Sequence, residues 1–166
     1  MKCKAIVLFL VFAWSPANAQ SVVKWGEEGD WKIFVNPDIG NGCYAEKQFP
    51  DGVLVQIGAE PLRAGGFFAA YHADWTDIEQ GASGTLFFDF GSEKFAGDGE
   101  GRMLGELRGG HAFFDNPNFV TEFAGRNSVK ISGDSNREFE IDLGGTSRAI
   151  KAVQSCQSEQ PKPDQG

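Results

Sequence analysis

The chain predicts a mainly β fold: an antiparallel sandwich or partly open barrel with a short mid-chain helix and a C-terminal helix packed on its flank. Short segments alternate apolar and polar residues with period two, each bounded by Gly, Asp, Asn or Pro, as half-buried strands do. The 22 glycines point to many turns, and 15 phenylalanines give one domain enough aromatic volume to fill its core.

Trp31, Ile33 and Val35 share one face of a first strand, stopped by Asn36-Pro37-Asp38 and the glycines at 40 and 42. A second strand runs from Cys43 to about Phe49. The turn Pro50-Asp51-Gly52 then leads into a third, with Val53, Val55 and Ile57 on one face, so these two form a hairpin. Phe67 to Tyr71 reads as another strand. In the next, Leu86, Phe88 and Phe90 alternate with Thr85, Phe87 and Asp89. Both carry aromatics on both faces, which places them in the middle of a sheet rather than at an edge. Between them, Asp74 to Ile78 is short and polar, a turn or a single helical turn.

Gly97, Gly99 and Gly101 make Phe95 to Gly101 read as a loop or a badly broken strand, with His111 to Phe114 a better strand beside it. Asn116 is placed to cap a helix with Pro117 at its first position; Phe119, Val120 and Phe123 share a face, and Gly125 closes it. Ser128 to Ser132 and Arg137 to Leu143 form a hairpin about Gly133-Asp134-Ser135-Asn136. The last helix starts near Thr146 or Ser147, whose hydroxyl is expected to accept from a free first-turn amide. Along it Ala149, Ile150, Val153 and Cys156 form an inward stripe.

Lys2 and Lys4, the apolar run Ala5 to Trp14 and the small residues Ala17 and Ala19 describe a secretory signal over residues 1–19. The chain therefore divides into this signal, a single β-rich domain over 20–156 and a disordered, polar tail over 157–166. The expected location is periplasmic or secreted. Cys3 leaves with the signal. The remaining pair, Cys43 and Cys156, then meets an oxidising compartment and is expected to form a disulfide that ties the final helix to an early strand. Loss of the leader with its two lysines moves the formal charge from −8 to −10. That sign disfavours nucleic acid and anionic lipid surfaces as partners.

His72 and His111 have no metal-ligand spacing with each other or with a cysteine. Ser83 with either histidine and Asp74 or Asp89 could form a hydrolase triad on paper, but the Gly-x-Ser-x-Gly elbow is absent. Glu27-Glu28-Gly29-Asp30 and Asp98-Gly99-Glu100 lack the ligand ladder of a calcium loop, and the glycines from 97 to 110 lack a phosphate-loop signature. No metal or cofactor is expected. Trp25 and Trp75, beside acidic residues, are the candidate binding surface, because large rigid side chains anchor partners at low entropic cost.

The segments Gly29-Asp30-Trp31-Lys32-Ile33 and Gly40-Asn41-Gly42-Cys43-Tyr44-Ala45, with Phe139-x-Ile141-x-Leu143-x-Gly145-Thr146-x-x-Ala149-Ile150-x-x-Val153-x-x-Cys156, resemble a group of small exported alphaproteobacterial proteins. More distantly the chain is similar to periplasmic proteins of the invasion-associated locus B family, although it lacks the second internal cysteine pair expected there. The resemblance implies an exported location, a disulfide and a β-rich fold, and transfers no catalytic residue. The function expected is that of a non-enzymatic, disulfide-stapled module that binds another envelope or extracellular protein. Two alternatives stand beside it: an inhibitor or immunity-type protein against a basic enzyme, and a hydrolase built around His72 or His111.

Overall fold

A computed structural model describes residues 21–134 and 137–162. The signal over 1–19 and the last four residues of the tail lie outside the described residues. Among the described residues ten antiparallel strands form one sheet: β1 (Val23–Glu28), β2 (Trp31–Asn36), β3 (Gly42–Gln48), β4 (Leu54–Glu60), β5 (Gly65–His72), β6 (Ser83–Asp89), β7 (Lys94–Leu104), β8 (Leu107–Phe114), β9 (Ser128–Gly133) and β10 (Glu138–Asp142). Helix α1 (Pro117–Gly125) links β8 to β9, and α2 (Thr146–Glu159) follows β10. Among the described residues no helix is long and apolar enough to cross a membrane.

In space the strands run β1-β2-β3-β4-β5-β8-β7-β6-β9-β10. β5 to β8 therefore form a Greek key, the chain leaving β5, crossing to β6 and returning by two hairpins to lie beside β5. The sheet does not close, but it curls. Ile33 of β2 and Ile141 of β10 lie in one core with Phe68, Phe88, Phe114, Phe119 and Phe123. Edge-to-face packing of Phe88 on Phe68, Phe114 and Phe119 fills its centre. β5 and β6 are internal strands, as their two-sided aromatic pattern requires. On the outer face Tyr44, Phe67, Ala69 and Tyr71 form a second buried cluster. Two glycines there lie against tyrosines: a Cβ at Gly58 would stand 2.4 Å from the Tyr44 Cβ, and one at Gly109 would stand 2.5 Å from Tyr71 Cδ1.

Ala149, Ile150, Val153 and Cys156 are all buried, and the Cys43–Cys156 disulfide joins α2 to β3 with the two Cα atoms 6.1 Å apart. Three expectations are corrected. Phe95 to Gly101 is not a loop: it lies in β7, the longest strand, because pairing with β6 on one side and β8 on the other supplies the order its glycines withhold. Neither Thr146 nor Ser147 caps α2; Gly145 does, at φ 84°, and the Thr146 hydroxyl donates instead to the Leu143 carbonyl. Nor does a tail begin at residue 157. Gln157 to Glu159 are helical, because Gln157 Oε1 accepts from the Cys43 amide at 2.8 Å and holds the last turn on the sheet. β1 lay outside the expected strands; Val22, Val23 and Trp25 are exposed, so no inward stripe marks it.

Candidate functional site

The connection from β5 to β6 spans the inner face of the sheet at the open end of the curl. It turns twice, through Trp75 N–H to the His72 carbonyl and Ile78 N–H to the Trp75 carbonyl, both 3.3 Å. It then docks on β7, where Gly81 N–H donates to the Gly101 carbonyl and Gly101 N–H to the Ala82 carbonyl, each at 2.8 Å. Arg108 Nη1 donates to the Ile78 carbonyl at 2.9 Å and holds the middle. Gly101 is obligatory here, since a Cβ would lie 2.1 Å from the Glu79 carbonyl oxygen.

Below this strap the sheet has almost no side chains. Gly84 of β6, Gly99 of β7, Gly110 of β8 and Gly133 of β9 surround Leu86, and none of them has a positive φ. At Gly110 and Gly133 a Cβ would make only ordinary contacts, at 3.4 and 3.6 Å from the Leu86 methyls. At Gly99 and Gly84 it would stand 3.3 and 3.0 Å from its nearest neighbours and need a small shift. Glycine inside a strand costs about 0.5–1 kcal/mol relative to alanine. At Gly110 and Gly133 neither backbone geometry nor close packing requires that cost; what the missing side chains leave is space. A throat of about 80 Å³, walled by Phe68, Trp75, Ile78, Leu86, Ile131 and Phe139, adjoins a vestibule of about 390 Å³ bordered by Asp77, Glu79 and Asp134.

Trp75, half-buried, forms one wall. Its ring packs 5.2 Å from Phe139 and 5.8 Å from His72, and the Arg137 guanidinium lies 5.3 Å from its centre. Arg137 Nη2 also donates to Asp77 Oδ1 at 2.5 Å, and this hydrogen bond holds the Asp77 carboxyl below its ordinary range. Trp25 sits elsewhere, on the edge strand β1, with Nε1 donating to Glu159 of α2 at 2.8 Å. The two tryptophans lie on different segments and share no hydrogen-bond, ring or cation partner among the described residues.

His72 is fully engaged. Its Nδ1 accepts from Asp74 N–H at 3.1 Å and its Nε2 lies 3.0 Å from the Asp51 carbonyl, so the ring pins the Asp51-Gly52 turn to the end of β5. His111 lies on the outer face, away from the cleft. It is stacked on Phe67 at 5.1 Å, with Nε2 3.8 Å from Glu60 Oε2, a buried oxygen without a hydrogen bond. Burial pushes its pKa down to about 4; Arg102 and Arg63 act the same way and Glu100 opposes them, so the ring is neutral near pH 7. Among the described residues no hydrogen bond or ion pair joins Ser83, Asp89 and a histidine; Asp89 pairs with Lys94 at 2.7 Å and also caps the Gly91 amide. Glu28 pairs with Arg148, Asp30 with Lys47 and Glu100 with Arg102. No group of three metal-ligating side chains converges among the described residues.

The sequence singled out Trp75 as a candidate surface residue and gave no indication of the space beside it. The available signal was a set of strand glycines at inward positions, and it could be read only once the register was known.

No family model matches the chain, and no curated protein sequence matches it. Its fold is similar to that in the crystal structure of invasion associated protein B from Bartonella henselae, with a TM-score of 0.54 and 14% identity over 80% of this chain and 97% of that one. At that identity the likeness is one of fold.

Proposed function

We propose that the protein is an exported, non-enzymatic module of the cell envelope that binds another protein, and that the cleft beneath Trp75 is its binding site. The observation that carries this reading is the pair Gly110 and Gly133, which keep the cleft open where the fold would accept side chains. The disulfide and the fold likeness to an invasion-associated protein support the exported setting. A concave, largely apolar space edged by a few polar groups suits recognition. The test is capture from an envelope fraction with the disulfide-bonded domain as bait, run beside a Gly110→Leu variant that fills the throat. A protein retained by the first and lost by the second is the expected result. Equal capture by both would remove the cleft from the reading, and capture by neither would remove protein binding.

A further inference from the structure

The two parts of the cleft differ in chemistry, and the difference specifies what fits. The throat is walled chiefly by Phe68, Ile131, Phe139 and the Trp75 ring, and its one charged lining residue, Arg137, is neutralised by Asp77. At about 10–15 Å³ for each water-sized group, its 80 Å³ takes roughly five to eight such groups, the bulk of one leucine, methionine or phenylalanine side chain. The vestibule is acidic, and its carboxylates are unevenly matched. Asp77 is held by Arg137. Glu79 on the strap and Asp134 after β9 have no cationic partner among the described residues, and Asp134 accepts only the Thr85 amide, at 2.8 Å. An apolar group seated in the throat therefore has uncompensated negative charge bordering its way out, in a chain whose net charge is already −8.

We infer that the cleft binds a segment of a partner protein that inserts one apolar side chain and carries lysine or arginine on the adjoining residues. The inference rests on the reading of the cleft as the binding site and adds the chemistry of its partner. Burial of the apolar side chain supplies affinity, and the basic neighbours face Glu79 and Asp134 and supply orientation and selectivity.

The test uses three blocked peptides titrated into the isotope-labelled, disulfide-bonded domain and followed by amide chemical shifts: one with leucine between lysines, one with leucine between glutamates and one with serine between lysines. The first is expected to shift resonances of the strap and of β6 to β9 saturably, to bind at least tenfold more tightly than the other two, and to weaken several-fold as salt is raised. Glu79→Gln should weaken it about threefold or more, and Gly110→Leu at least tenfold. Gly133→Val is the second filling variant, and an unchanged thermal midpoint in either keeps the comparison valid. Equal binding of all three peptides, or binding indifferent to both filling variants, overturns the inference. If none of the peptides binds while Gly110→Leu still abolishes capture of an envelope protein, the partner chemistry is wrong and the binding site stands. If the filling variants leave capture intact, the reading beneath it has failed.

Discussion

Gly109 and Gly110 are neighbours on β8 with opposite reasons for being glycine, and replacing each by alanine separates them. A Cβ at Gly109 would stand 2.0 Å from the Ala70 carbonyl oxygen and 2.5 Å from Tyr71 Cδ1, so either the backbone of β5 must move or the substitution fails. A Cβ at Gly110 points to the other face, with Leu86 Cδ1 at 3.4 Å its nearest neighbour. Both substitutions remove the same excess chain entropy from the unfolded state, about 0.5–1 kcal/mol in favour of alanine. That contribution is common to the two and cancels in their difference. What remains is the overpacking at Gly109, about 1–3 kcal/mol. With a urea slope of about 1–3 kcal/mol per molar, the unfolding midpoints should lie on the order of 1 M apart. Gly110→Ala should fall at or above the parent and Gly109→Ala below it. Coincident midpoints, or the reverse order, would refute the claim that the cleft floor is free to carry side chains.

Removing the Cys43–Cys156 bond, which spans 113 residues of sequence, should destabilise the domain by about 5 kcal/mol by loop entropy, read as the loss in guanidinium midpoint of a double Cys→Ala variant; a loss under about 1 kcal/mol would show that α2 holds the sheet without it. The His111 ring takes a proton at about 4 when folded against an ordinary value of 6.5, so between those limits the unfolded chain binds more protons and stability falls as pH is lowered through that window. The loss is on the order of 3 kcal/mol, and denaturation at a series of pH values should find most of that slope gone in His111→Phe. Gly145→Ala forces a side chain into the left-handed region at φ 84° and should lower stability by about 1–2 kcal/mol, seen as a drop in thermal midpoint.

Where a segment's burial pattern was set by its own alternation, the sequence was readable. Trp31 and Ile33, Val53 to Ile57, Ile141 and Leu143, and the Ala149–Cys156 stripe all bury the face their spacing indicates, and Phe139 is half-buried beside them. Where structure came from partners, it was not. β7 looks broken because its inward positions are glycines, and only the two strands beside it make it continuous. β1 pairs with β2 but exposes most of its apolar side chains, so no periodicity announces it. The site followed the same division. Trp75 could be singled out as a large ring among polar residues, whereas the cleft is defined by what Gly110 and Gly133 lack, and by Arg137, which arrives from a distant part of the chain. His72 and His111 looked alike in sequence. Contacts alone distinguish a ring bonded at both nitrogens from one buried against Phe67.

The placement of the disulfide bears on why an underfilled cleft is tolerated. Helix α2 packs chiefly on β1 to β4 and on α1, so the covalent tie at Cys43 consolidates one half of the curled sheet. The cleft belongs to the other half, built from β6 to β9 and the strap. Leaving Gly110 and Gly133 bare costs about 1–2 kcal/mol together, which is small beside the roughly 5 kcal/mol assigned to the staple. Stability concentrated at one end permits looseness at the other, because sub-global opening free energies differ between regions of one domain. Amide exchange should accordingly be slowest in β3, β4 and α2 and faster in the strap and the β9–β10 hairpin. Uniform protection across both halves would mean that the glycine floor carries no local weakness, and that the space above it is ordinary packing.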